Sequence, residues 1–247
     1  MQKVLTLIGL AAYLTVTASA SVVWVVDSTS ELYTVNTATV VATRFAPLLN
    51  SINTIAVGNG ILYGMGSLNH NLYAINGLGK ETLVAATGKA GIVGLAGDNA
   101  GNIWLASVNN LFEYSAAGAL LNSYTGTFAP GDLEFIGPKL YMTQNNVLYT
   151  VTTAGGVATA AKVNNVNTLA GNTVGLAVVP GSLMYGFSAT QVYTVNSGTG
   201  TSTAGVKVTG LSGTIVDAAG TPEPATFGII GLGLIGLGGL AYRRRKA

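Results

Sequence analysis

The sequence predicts an all-β protein: a five-bladed β-propeller closed by a C-terminal strand, flanked by an N-terminal signal peptide and a C-terminal transmembrane sorting helix. Three observations predict it. Apolar-aromatic pairs recur along residues 21–220 with a period near 40. Each period holds short apolar or alternating runs separated by turn residues, and four such strands per ~40 residues is the arithmetic of a propeller blade. One run is left over at the end of this region, and its start lacks one.

The pairs set the register. Val23-Trp24 is followed by Leu32-Tyr33, Leu62-Tyr63 by Leu72-Tyr73, and Ile103-Trp104 by Leu111-Phe112. Leu140-Tyr141 then precedes Leu148-Tyr149, and Met184-Tyr185 precedes Val192-Tyr193. The leading aromatics stand 39, 41, 37 and 44 residues apart, and ten of the 19 aromatics fall on this ladder, too many for chance.

Around each pair the flanks repeat. Upstream lie an apolar run and a turn, as in Ile55-Ala56-Val57-Gly58-Asn59-Gly60 and Leu176-Ala177-Val178-Val179-Pro180-Gly181. The leading strand is nearly continuous in apolar residues (Val22 to Val26, Ile61 to Met65), which suits a sheet covered on both faces. The next strand alternates, setting Tyr73 with Ile75 and Tyr193 with Val195 on one face. A last run closes the unit: Thr39 to Thr43, Thr82 to Ala86, Thr203 to Val208. The first unit begins at Val22 with no upstream strand, and the orphan run from Leu211 to Gly220 supplies it. That exchange would close the ring, remove its open edges and set the two ends of the body side by side. The same strands arranged as a β-sandwich or a solenoid are the alternative.

One unit carries a family resemblance. Gly94-Leu95-Ala96-Gly97-Asp98-Asn99-Ala100-Gly101-Asn102-Ile103-Trp104 resembles the blade pattern of NHL-type and sensor-kinase periplasmic propellers. The other units lack the Asp and vary the turn. The resemblance implies a fold and carries no active site across.

The chain ends read as targeting segments. Lys3 precedes an apolar run from Val4 to Val16, and Ala18-Ser19-Ala20 follows, so residues 1–20 form a signal peptide expected to be cut between Ala20 and Ser21. At the other end Pro222, Glu223 and Pro224 open a run without charge from Ala225 to Tyr242, and Arg243, Arg244, Arg245 and Lys246 stop it. As helix, its 18 residues span about 27 Å at ~1.5 Å per residue, just enough for a bilayer core of ~30 Å. Six glycines make that helix weak, and the cations would stay on the cytoplasmic side. A Pro-Glu-Pro, an apolar segment and a basic stop resemble the PEP-CTERM sorting tail over residues 221–247. The resemblance implies handling by the secretion machinery and by a sorting peptidase, exosortase. It implies a membrane intermediate held by the C-terminal helix, and then delivery to the cell envelope or the extracellular space.

Charge excludes some functions. Removing both targeting segments leaves Ser21 to Thr221 with six cations and eight acids, a formal charge of −2. No basic cluster remains for a phosphate backbone, so nucleic acid is not an expected partner. Cysteine is absent, so the exported body must hold by packing alone.

Catalytic residue types are sparse, and none is assigned. His70, the sole histidine, sits in a polar turn and reads as a loop residue. Asp132 and Glu134, two apart, could share a strand face, as acid-base or sugar chemistry requires. With Asp98 and Asp217 they are candidate channel carboxylates. No metal site or cofactor is assigned; convergence of Asp98, Asp132 and Asp217 at one mouth could hold Ca²⁺, whereas Asp98 could equally cap a turn. Two functions follow. One is a non-catalytic exported propeller that binds a polysaccharide or another polymer, or a surface protein. The other is a propeller hydrolase or lyase acting on sugars or lactones through the channel carboxylates. Clustering of the four acids in one mouth would favour the second.

Overall fold

The computed structural model describes residues 21–165, 168–179, 181 and 183–221. The signal peptide through Ala20, the Pro-Glu-Pro, the apolar segment and the basic stop lie outside them. Among the described residues there are strands and no helix, so none is long and apolar enough to cross a membrane.

The strands fall into antiparallel groups of four, with five in the last. The first sheet holds β1 (Val22–Asp27), β2 (Glu31–Asn36) and β3 (Val41–Pro47). Next come β4 (Ile52–Gly58), β5 (Ile61–Gly66), β6 (Asn71–Ile75) and β7 (Glu81–Ala86). Then follow β8 (Gly94–Gly97), β9 (Ile103–Ser107), β10 (Asn110–Tyr114) and β11 (Leu120–Thr125). After them run β12 (Asp132–Ile136), β13 (Lys139–Gln144), β14 (Val147–Ala154) and β15 (Val157–Lys162). The last group holds β16 (Gly175–Val179), β17 (Leu183–Ser188), β18 (Gln191–Asn196), β19 (Thr201–Ser202) and β20 (Val206–Lys207). Finally β21 (Ile215–Gly220) returns to the first sheet, whose order is β21-β1-β2-β3. The groups β8–β11 and β12–β15 join through one parallel bridge, Thr125 to Val157.

The aromatic ladder reappears as register. Tyr33 pairs with Val25, Tyr73 with Gly64, Phe112 with Leu105, Tyr149 with Met142 and Tyr193 with Gly186. In every group the second aromatic therefore stands opposite the residue after the leading one. Five clusters of buried apolar side chains, among the described residues, each draw on neighbouring groups. Tyr63, Met65 and Leu72, for example, pack with Leu95, Ile103 and Leu105. Both faces of most sheets are thus covered, and β9 is buried at every residue. One expectation is refined: within the closing run from Thr203 to Val208 only Val206–Lys207 is strand, and Thr201–Ser202 just before it forms a separate strand. β19 and β20 both pair with β18, and Ala204-Gly205 between them interrupts the ladder.

The innermost strands succeed one another around an axis: β21 packs on β4, β4 on β8, β8 on β12, β12 on β16, and β16 on β21. The body is propeller-like, and β21 makes the closure. It pairs antiparallel with β1 from Val23–Gly220 to Val26–Asp217. Asp27 Oδ2 accepts from Gly213 N at 2.8 Å, and Tyr33 Oη accepts from Ser212 N at 3.1 Å. Thr221 donates its hydroxyl to Val22 O at 2.6 Å, so the two ends of the body meet.

A chain stopped at Gly210 loses β21 and uncovers the inner edge of β1. Its expected behaviour is aggregation and loss of a single cooperative unfolding transition, checked by size-exclusion chromatography and urea denaturation.

Candidate functional site

The axis of the ring is where carboxylates meet. Asp132 opens β12 and Asp217 lies in β21; both are 0% exposed. Each reaches the next inner strand. Asp217 Oδ2 accepts from Ile55 N at 2.7 Å and from the Thr54 hydroxyl, both on β4, and its Oδ1 accepts from Ala218 N at 2.7 Å. Asp132 Oδ2 accepts from Leu176 N on β16 at 2.5 Å. Between them the two acids touch four inner strands.

Asp132 Oδ1 is buried without a donor. Its neighbour is Asp217, and two carboxylate oxygens cannot bond each other unless one carries a proton. The two buried carboxyls lie close enough for the charge of Asp217 to act on Asp132. Burial first, and then the charge of Asp217, raises the Asp132 carboxyl well above the usual range. Burial likewise lifts Asp217, to about 7, against the opposing pull of Thr54 and Ile55.

Glu134 is half-buried, two residues along β12. Burial and then Asp217 raise its carboxyl well above the usual range, while Val178 N opposes the shift. It lines a cavity of about 270 Å³ at the end of the channel, together with Asn59, Asp98, Asn99, Phe135 and Thr221.

Asp98 shares this cavity but not the cluster. It follows β8 instead of lying inside the ring, and its oxygens are engaged. Oδ1 accepts from Ala100 N (2.9 Å) and Asn102 N (2.8 Å), and Oδ2 from Trp104 Nε1 (3.1 Å) and Asn102 Nδ2 (3.2 Å). It caps the turn that carries Asn99 to the cavity. The structure thus brings Asp132, Glu134 and Asp217 together and sets Asp98 at the rim. Among the described residues no three His, Cys, Asp or Glu are grouped so as to hold a metal ion. His70 is elsewhere, in the β5–β6 turn with φ of 56°, beside a cavity of about 140 Å³ that also meets Lys89.

Sequence reasoning passed over Asp27 and Thr54. Asp27 is 1% exposed and spends Oδ1 on Thr29 N, the Thr29 hydroxyl and Glu31 N. The Asp-Ser-Thr-Ser stretch directly after an apolar run was its available signal, that of an Asx turn. Thr54 had only a weaker one, a polar pair Asn53-Thr54 inside an apolar strand.

Comparison with known proteins agrees with the two halves of the chain. Residues 221–246 match the family model described as the PEP-CTERM protein-sorting motif. The chain therefore carries that motif, which implies an exported protein, processed by exosortase and sorted through the membrane to the cell envelope. No functionally curated protein matches the sequence. Among solved structures, a protein of unknown function from Bacteroides caccae aligns with TM-score 0.53 at 13% identity, over 83% of this chain and 100% of its own. A structure from work on the de novo evolutionary emergence of a symmetrical protein aligns with TM-score 0.52 at 17% identity, over 81% and 94%. A streptogramin B lyase aligns more loosely, with TM-score 0.46 at 14% identity, over 71% and 62%. The first two likenesses are ones of fold alone.

Proposed function

We propose that this protein is an exported, envelope-sorted five-bladed β-propeller that binds a polymer or a protein at the cell surface or in the extracellular matrix, without catalysis. Five inner strands in succession and the exchange of β21 into the first sheet support that blade count. The observation that carries the non-catalytic reading is how the inner carboxylates are spent. Asp132 and Asp217 are sealed from solvent, and one oxygen of each accepts from a strand amide, so burial keeps both carboxyls from touching a substrate. Proton-transfer catalysis needs the acid within hydrogen-bond reach of the reacting group.

The channel mouth is the place for a ligand. Its lining offers the amides of Asn59 and Asn99, the ring of Phe135 and the carboxyl of Glu134. Burial raises the Glu134 carboxyl well above the usual range, and with the two amides and the ring this set suits an uncharged, hydroxyl-bearing group better than an anion. A non-reducing sugar end has that chemistry. Asn99→Ala removes one donor-acceptor group and should weaken retention on neutral polysaccharide about tenfold, measured by affinity electrophoresis. Unchanged retention would place the ligand elsewhere.

One observation favours the alternative reading, a hydrolase or lyase for sugars or lactones. Glu134 is a half-buried carboxylic acid facing a cavity, as a general acid would be. The decisive comparison is turnover of glycoside and lactone substrates by the wild type and Glu134→Gln. No turnover in either is expected; turnover that Glu134→Gln abolishes would replace the binding reading with the enzymatic one. Sorting is tested apart from this, by intact mass in the native host. Loss of residues 1–20 and a new C-terminus near Pro222, Glu223 and Pro224 are expected, and a retained Arg243 to Lys246 would refute it.

A further inference from the structure

We propose that Asp132 and Asp217 share a proton that acts as a clasp on β21, so that the ring closes firmly in acid and loosens as the medium turns alkaline. The geometry carries this inference. Asp217 belongs to the strand that completes the circle, four residues before the sorting motif begins. Asp132 lies across the axis on β12, with one buried oxygen that no protein donor reaches. Through Leu176 N, Ile55 N and the Thr54 hydroxyl the pair ties β21 and β12 to β16 and β4. Losing the proton leaves two negative charges face to face in a site without water access. That repulsion acts on β21, the strand that closes the ring by pairing with β1.

Nothing nearby can replace the proton. Strand β21 packs on β1, β4, β16 and β17, and β12 packs on β8, β13 and β16. The titratable groups on these neighbours are Asp27 on β1, Tyr185 on β17, and Lys139 and Tyr141 on β13. Asp27 is turned to Gly213, outside β21. Tyr185 packs in the apolar cluster between the first and last sheets, and Tyr141 in the cluster between the last two. Lys139 is exposed and pairs with Ile136, at the far end of β12 from Asp132. Glu134, on β12 itself, adds a third acid. Among the described residues no cation faces the pair.

The sign follows from linkage. In the unfolded chain an aspartate titrates near ~3.9. In the ring Asp217 does so at about 7, and Asp132 is also raised. The closed ring therefore binds more protons than the open one above pH ~4, and closure weakens as pH rises through the folded values. Each proton so linked changes the opening equilibrium by up to ~tenfold per pH unit.

The test is urea denaturation of the full-length protein in detergent from pH 5 to pH 8. The wild-type midpoint should fall steadily with pH. Asp132→Asn keeps an acceptor for Leu176 N and offers Asp217 a permanent donor, so its midpoint should change much less. Glu134→Gln, which leaves the pair intact, should keep most of the wild-type slope. A wild-type slope retained in Asp132→Asn overturns the clasp. Should Asp132→Asn fail to fold, hydrogen exchange of the wild type decides. Protection of residues 216–220 should fall with pH faster than that of β9, beyond the common base-catalysed change; a parallel fall overturns the proposal.

Discussion

Asp217→Ala should cost about 3 kcal/mol of stability at pH 6, while Asp217→Asn should cost well under half as much. The alanine leaves Ile55 N and the Thr54 hydroxyl without their acceptor in a buried site, and each orphaned group costs ~1–3 kcal/mol. It also opens a void between β21 and β4. Asparagine keeps an acceptor oxygen at the same place and removes the charge whose burial the ring resists. Asparagine gives up only the bond from Ala218 N, made within the same strand. Urea denaturation of the three proteins checks this. Equal losses for alanine and asparagine would mean that the strand amides do not depend on that acceptor.

Gly175→Ala should be the second severe change, destabilising by about 3 kcal/mol, the upper end for an overpacked core. A Cβ at this position would stand 2.5 Å from Ala218 N and 2.9 Å from the Asp217 carbonyl carbon. Both are backbone atoms of β21, so no side chain can swing aside and the closing strand itself must move. Gly77→Ala is the control. Nothing lies within 4 Å of its Cβ, and a change within ~0.5 kcal/mol is expected. Thermal melts of both variants would measure the difference. Equal melting points would mean that β21 has slack the geometry does not show.

Much of this architecture was legible in residue order because a repeat writes the same physics several times. Each aromatic pair marks two adjacent strands, and their constant spacing survives as constant register, Tyr33 on Val25 and Tyr193 on Gly186. The leftover run from Leu211 to Gly220 could be assigned because only one group lacked a strand. The carboxylates were harder. Asp132 and Glu134 share a face by period-two alternation, but which strand lies across the axis depends on how tightly the ring closes. That places Asp217 beside Asp132 and leaves Asp98 outside, one residue past the end of β8. Similar sequence positions at opposite ends of short strands are several ångströms apart in the ring. The shortening of the last run to β20, with β19 set before it, was illegible for a different reason. Thr203 to Val208 contains a reasonable alternating pattern, and only the pairing partner β18 decides where Ala204-Gly205 breaks from the ladder.

The antiparallel seam between β1 and β21 also fixes how the protein yields to force. Thr221 and Val22 are bonded at one end of that seam, so a pull on the tail against the N-terminus loads the bonds in sequence and not together. The Gly220–Val23 pair parts first, then Ala219–Trp24, then Ala218–Val25, as a zipper opens from its free end. The next pair is Asp217–Val26, where Ile55 and Thr54 grip the same residue from the side. A chain drawn by its membrane end would thus peel over three residues with little resistance and meet its first mechanical stop at Asp217.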